Sequence, residues 1–223
     1  MTTLLIATRN AHKVGEIQAI LGADFRSRTL KEFPDAPPVV EDADTFAGNA
    51  TKKAVELAKW LASGSINHQP STINYVLADD SGLEVDALNG APGVHSARFA
   101  ALDKSENSKD ADNNAKLLRL LKDVPPEKRT GRFRCVIALV PVVGGASVPA
   151  SRLVSSLAPP ILFDGACEGR IQLAASGQGG FGYDPLFVPD GFTQSFAELG
   201  EDVKNQLSHR AKALAKLKTF FSR

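Results

Sequence analysis

Tyr75-Val76-Leu77-Ala78-Asp79-Asp80-Ser81-Gly82-Leu83 is the stretch on which the reading of this chain turns. Its first four residues form an apolar run of the kind that fills a strand covered on both faces. Two adjacent carboxylates follow, so Asp79 and Asp80 are expected to emerge together at the strand's carboxyl end, where ligands bind in open α/β sheets. Neighbouring acidic side chains repel each other unless a cation or a proton lies between them, and either arrangement makes chemistry available. The same residues also suit a plain turn between two strands, because Asp, Ser and Gly each favour turns for local backbone reasons. On this segment alone both readings stand.

Working outward, strand and helix patterns alternate. Upstream, Thr3 to Ala7 is a short branched apolar run, and Val14, Ile17, Ile20 and Leu21 follow at helical spacing, with Asn10 placed to cap that helix. After the Pro-rich stretch Pro34 to Pro38, Glu41, Asp42 and Asp44 lead into a second helix carrying Phe46, Ala50, Ala54, Leu57, Ala58 and Leu61 on one face. Acidic residues there suit the positive end of the helix dipole. Ser63 to Thr72 reads as a loop before the strand with the two aspartates. Downstream, a third helix is expected over Asp110 to Leu121, with Pro125 and Pro126 at its exit, and Arg132 to Val143 is the clearest strand. Gly144 to Pro149 breaks it. Arg152 to Leu157 and Ile161 to Phe163 read as further strands, and a last helix from near Ser208 presents Ala211, Leu214, Ala215, Leu217 and Phe221. The expectation is a three-layer α/β protein with a mixed sheet, helices on both faces and no linker that splits it.

Composition narrows the function classes. Twenty-six Lys and Arg against 25 Asp and Glu give a net charge of +1, so no global field draws the molecule to nucleic acid or to a membrane surface. An anionic ligand must then be held by a local cluster. Cys135 and Cys167 are the only two cysteines, too few for a disulfide framework or a four-ligand zinc site. Met1 to Thr8 lacks the basic and apolar runs of a leader, and no stretch approaches the length of a membrane span. A soluble cytoplasmic protein is expected.

Four other segments could join the aspartates in one site. Thr8, Asn10 and Lys13 place a hydroxyl, an amide and an ammonium at a strand-to-helix junction, whose free N–H groups suit phosphate, although the residues also read as a cap and a solvated lysine. Glu41 with Lys53 offers a carboxylate and an ammonium, useful around a phosphate that magnesium bridges, and equally ordinary as surface charges. Gly177 to Asp184 matches the spaced glycines of a dinucleotide fingerprint, but Tyr183, Asp184 and Pro185 follow where a helix should start, so the match is spurious. A loop exposing Phe181 for stacking on a flat ligand is the better reading, with a turn that buries the ring as the plain one. Last, His209 and Arg210 at a helix start oppose the dipole, which implies an acceptor or anion beside them.

Taken together, Thr8-x-Asn10-x-x-Lys13, Asn49-Ala50 with Lys53-Ala54, Ala78 to Leu83 with Gly90-Ala91-Pro92-Gly93-Val94-x-Ser96-Ala97-Arg98, Phe181 to Phe187, and Lys204-Asn205-x-x-Ser208-His209-Arg210 resemble the inosine triphosphate pyrophosphatase family. The motifs run in the family's order from residue 8 to residue 210. The resemblance implies one two-lobed domain over residues 1–223, with an elongated mixed sheet and the active site in a central cleft. It further implies a homodimer, a Mg2+ requirement, and hydrolysis of ITP, dITP or XTP to the monophosphate and pyrophosphate.

By the same resemblance Thr8, Asn10, Lys13 and Lys53 hold the triphosphate, and Glu41, Asp79 and Asp80 hold the metal. Asp80 accepts the proton of the attacking water, and Ser81 touches the substrate. Phe181 stacks on the base, with Gly182 and Tyr183 beside it, while Asp184, Lys204, His209 and Arg210 line the base pocket and read the 6-oxo group. These roles agree with the chemistry, since phosphoryl transfer needs charge neutralisation and positioning more than covalent work. The chain departs from the family's usual pattern at Arg9, Val40 and Gly48. Arg9 flanks the phosphate-binding turn and is expected to contact the triphosphate or screen the site. Two other readings compete: a Maf-like nucleotide pyrophosphatase, against which Ser208-His209-Arg210 speaks, and a non-catalytic nucleotide- or nucleic-acid-binding module, to which two pocket carboxylates bring nothing.

Overall fold

Branched apolar residues followed by a capped helix start build the first element pair. β1 (Thr2–Ile6) buries Leu4, Leu5 and Ile6 completely, and α1 (Ala11–Leu21) begins where the Asn10 side chain accepts the Lys13 N–H at 3.1 Å. The expected cap is therefore present. The structure is a computed structural model that describes residues 1–63, 73–101, 107–142 and 159–222. β2 (Phe25–Thr29) pairs with β1 in parallel, Thr2 opposite Phe25 and Ile6 opposite Thr29.

α2 (Phe46–Ala62) buries the six apolar residues that the spacing picked out, together with Asn49 and Lys53 on the same stripe. β3 (Tyr75–Val85) pairs with β1 in parallel from Leu4 opposite Tyr75 to Ile6 opposite Leu77. α3 (Asp110–Leu120), β4 (Thr130–Pro141), β5 (Ile161–Ile171), β6 (Phe187–Pro189), α4 (Phe196–Leu207) and α5 (His209–Phe221) complete the chain. Among the described residues the sheet has six strands in the order β2-β1-β3-β4-β5-β6, and β5 runs antiparallel to β6. The mixed α/β sheet matches the expectation.

The chain divides into two compact units, Met1–Asp80 with Val136–Phe163 and Lys216–Arg223, and Ser81–Cys135 with Asp164–Ala215. In the first, Phe221 meets Phe25 and Tyr75 edge-on, each with ring centroids 5.3 Å apart. In the second, Phe133 lies 4.7 Å from Phe187 and stacks on the His209 ring at 4.9 Å, within a core that includes Leu83, Val85, Leu117 and Phe196.

Four expectations need correction. The paired aspartates do not end their strand: β3 continues through Ser81 and Gly82 to Val85, so the turn reading fails too. β5 reaches Ile171 and not merely Phe163. Its inward positions include Gly165 and Gly169, which carry no apolar side chain and so hide the alternation. A Cβ at Gly165 would lie 2.1 Å from the His209 carbonyl oxygen, which is why glycine stands there. On α5 the buried face uses Ala213 and not Ala215, which is exposed. Finally, β2 and α4 had no counterpart in the sequence reading. The segments Gly144–Pro149 and Arg152–Leu157, and nearly all of Ser63–Thr72, lie outside the described residues.

Candidate active site

The first group of site residues is built where β1 gives way to α1. β1 pairs with β3 only as far as Leu77, and the Ala7 N–H closes that ladder on the Leu77 carbonyl at 2.8 Å. Asp79 and Asp80 therefore lie just beyond the carboxyl end of β1, although they are internal to β3. Ligand-binding position is set by the shorter strand beside them. From the first turn of α1, Lys13 reaches across and pairs with Asp79, which is 1% exposed. Thr8 Oγ1 accepts the Asn10 N–H at 3.2 Å, so the expected hydroxyl and amide of this junction fix its own turn.

α2 supplies the second cation. Lys53 Nζ donates to Glu41 Oε2 at 2.9 Å and to the Asp79 carbonyl at 2.7 Å, and lies 3.6 Å from Asp80 Oδ1. Glu41 is held there because its segment is fastened to α2: Asn49 Oδ1 accepts the Ala43 N–H at 2.9 Å and Lys52 pairs with Asp42 at 2.6 Å. Gly48 has a role here, since a Cβ on it would stand 2.7 Å from the Ala43 Cβ. Arg9 Nη2 donates to the Ala36 carbonyl at 2.8 Å, and Val40 is 66% exposed.

Asp80 is the outlier of the group. It is 6% exposed, its Oδ2 is buried with no hydrogen-bond partner, and burial pushes its carboxyl above the usual range against the opposing charges of Lys53 and Lys13. Among the described residues no three His, Cys, Asp or Glu side chains are gathered into a ready-made metal cage. Within the group three carboxylates stand against two ammonium groups, and an orphaned buried carboxylate oxygen is the feature that a hard cation satisfies. The unpartnered Asp80 oxygen fits a hard cation such as magnesium.

The second group belongs to the other compact unit. Lys204, near the end of α4 and 3% exposed, pairs with Asp184, and its Nζ stands 4.4 Å from the centre of the Phe181 ring. Asp184, 1% exposed, also accepts the Phe181 N–H at 2.8 Å. Phe181 is half-buried, between the two readings offered for it. No helix follows Gly182, so the fingerprint is indeed spurious. Arg210, 1% exposed in the first turn of α5, donates from Nη2 to Ser81 Oγ at 2.9 Å; this is the acceptor that its place at a helix start required. His209 lies flat on Phe133. The Tyr183 hydroxyl donates to the Ser96 carbonyl at 2.9 Å, inside the core, where burial raises its pKa.

Sequence reasoning missed Asp110 and Asn114 of α3, which hold both sides of Gly182: its N–H donates to Asp110 Oδ2 at 2.6 Å, and its carbonyl accepts from Asn114 Nδ2 at 3.0 Å. The available signal was an acidic residue and an amide one helical turn apart at a helix start. It carried no pointer to a loop some seventy residues away.

The chain is a mixed α/β-sheet protein with lysine–carboxylate pairs around Asp79 and Asp80 in one unit and a lysine–aspartate–aromatic group after β5 in the other. The sequence model of the Ham1 family matches residues 4–220, and the chain belongs to that family. It is 45% identical over 221 residues to a dITP/XTP pyrophosphatase of Desulforamulus reducens, covering 99% of this chain and 96% of that one. A dITP/XTP pyrophosphatase of Geobacter sulfurreducens is 46% identical over 219 residues, with coverage of 98% and 96%. Among solved structures, a HAM1 protein from Coxiella burnetii superposes with a TM-score of 0.76 at 33% identity, covering 100% of this chain and 99% of that one.

Proposed function

We propose that this chain hydrolyses non-standard purine nucleoside triphosphates, ITP, dITP and XTP, to the monophosphate and pyrophosphate, and so clears them from the nucleotide pool. The observation that carries this reading is Asp80: a buried carboxylate with one unpartnered oxygen, flanked by two lysines at a strand-to-helix junction. A carboxyl with a raised pKa beside phosphate-binding groups is equipped to take a proton from water as it attacks the α-phosphorus. Lys13 and Lys53, with Thr8, Asn10 and Arg9 at the α1 start, neutralise and orient the triphosphate. Glu41, Asp79 and Asp80 are the residues that would hold a magnesium ion. When bound, the ion draws charge from the phosphate oxygens.

At the other end of the substrate, Phe181 stacks on the base, with Gly182 and Tyr183 shaping its loop. Asp184, Lys204, His209 and Arg210 line the pocket, and Ser81 touches the substrate from the Arg210 side. Donors aimed at a 6-oxo acceptor leave adenine's exocyclic amino group unpaired, which is the basis of discrimination. The family resemblance supports a homodimer, and the presence of only two cysteines supports a reducing, cytoplasmic location.

Product analysis over ITP, dITP, XTP, ATP and GTP with magnesium tests the reading. Pyrophosphate is expected from the first three, with little from ATP and loss of turnover under EDTA. Orthophosphate release, or equal turnover of ATP and ITP, overturns it.

A further inference from the structure

We infer that Asp110 and Asn114 are positioning residues that set the base-recognition loop, and thereby the affinity for the purine; this rests on the reading of Phe181 as the base-stacking ring. The two side chains stand at i and i+4 on α3 and so share one face of it. They hold opposite sides of a single residue: Asp110 Oδ2 accepts the Gly182 N–H at 2.6 Å, and Asn114 Nδ2 donates to the Gly182 carbonyl at 3.0 Å. Both peptide planes that flank Gly182 are thus tied to one rigid helix.

The loop's own hydrogen bonds join Phe181 and Asp184, on either side of Gly182. Gly182 has a φ of 64°, in the left-handed region, and a Cβ placed there would meet nothing within 4 Å. No side-chain sterics hold the backbone at this position, and glycine passes readily between conformations. Phe181 is the residue immediately before this joint. Its N–H is held by Asp184 and its ring lies under Lys204. The Phe181 carbonyl accepts the Asp184 N–H at 3.3 Å within the loop, and the α3 pair adds a restraint from outside it on the peptide that leaves Phe181. Preorganising the ring lowers the ordering cost that a ligand must otherwise meet on binding.

Two features separate this role from plain helix stabilisation. α3 begins without a side-chain cap, and Asp110, although it stands in the first turn, directs an oxygen to Gly182. Asn114 keeps its Oδ1 buried with no hydrogen-bond partner while its amide nitrogen serves the loop. An orphaned buried acceptor costs stability. A side chain retained at such a cost, with its donor on a recognition loop, is accounted for by what the donor holds.

The test compares Asp110→Ala, Asn114→Ala and the conservative Asp110→Asn, each alone and in a Phe181→Leu background, with thermal melting to establish that each folds. With ITP as substrate, Asp110→Ala and Asn114→Ala are expected to raise KM about tenfold, with kcat within about twofold, as loss of preorganised binding requires. Asp110→Asn, which keeps an acceptor oxygen, is expected to recover most of that loss. Affinity for inorganic tripolyphosphate, which has no base, is expected to stay at the wild-type value. In the Phe181→Leu background the α3 substitutions are expected to add little, because the ring they position is gone. A wild-type KM in both alanine variants, while Phe181→Leu raises it, overturns the inference and leaves the base-stacking reading intact. If Phe181→Leu itself leaves KM unchanged, the stacking reading fails and the inference with it. If tripolyphosphate affinity falls in parallel, or the α3 effects persist at full size without Phe181, the pair acts through general stability and the inference is wrong.

Discussion

Three conditions meet on Asp80, the proposed proton acceptor: it is buried, it lacks a partner for Oδ2, and Lys53 stands 3.6 Å from Oδ1. Replacing it by Asn keeps the shape and removes the proton acceptor. Asp80→Asn is expected to lower kcat at least about a hundredfold, the ordinary contribution of a positioned general base. Binding of ITP followed by fluorescence or calorimetry is expected to be nearly unchanged. Turnover within tenfold of wild type would show that another group takes the proton. The pairs that the structure brings together, Lys13 with Asp79 and Lys53 with Glu41, were named from the sequence as candidates: Asn10 caps a helix three residues before Lys13, and Lys53 follows Glu41 by 12 residues, across a short loop and the first two turns of α2. Asp110 and Asn114 were not, because their partner is distant in sequence and is a backbone group without a chemical signature of its own.

At the scale of elements, the exit of α3 is sealed by one arginine. Arg129 is 3% exposed, and it donates from Nε to the Val124 carbonyl at 2.9 Å, from Nη2 to Leu121 at 2.7 Å and from Nη1 to Gln172 at 3.5 Å. The Leu121 and Val124 carbonyls lie at and just beyond the carboxyl end of α3, where a cation is favoured, and Gln172 follows β5. Arg129→Ala leaves buried acceptors unsatisfied and is expected to destabilise the protein by about 2–4 kcal/mol in a urea melt. A change under about 0.5 kcal/mol would mean that water replaces all three bonds. The sheet carries a second test. Arg132 on β4 pairs with Glu168 on β5 at 2.9 Å and with Asp86, just past β3, at 3.0 Å, while Thr130 donates to Asp86 at 2.7 Å. The Thr130 hydrogen bond, assisted by Arg132, holds the Asp86 carboxyl below its ordinary 3.8. Because its folded pKa is depressed, the stability it contributes is present above the ordinary value and is lost as pH falls through the folded one. Asp86→Asn is therefore expected to be less stable than wild type at neutral pH, with the gap closing below about pH 4. A gap that is constant with pH would assign the loss to packing.

For the whole molecule, a net charge of +1 and the pairing of Lys13, Lys53 and Lys204 with carboxylates leave little field to gather a polyanion. Duplex DNA is expected not to be retained at about 150 mM salt, roughly physiological ionic strength; binding with micromolar affinity there would count against a small-molecule substrate. Among the described residues no helix is long and apolar enough to cross a membrane.

The amino-acid sequence by itself determined the alternation of strands and helices, the capped α1, the buried stripe of α2 and the chemical inventory of the site. Those features rest on periodicity and caps, which act over a few residues. Only the tertiary structure decided that Asp79 and Asp80 sit inside β3 yet just past the end of β1, that glycines line the inward face of β5, and that α3 holds Gly182. Strand length and register depend on partners far away in the chain, and a glycine or a backbone amide gives the sequence no side chain by which to announce what it will meet.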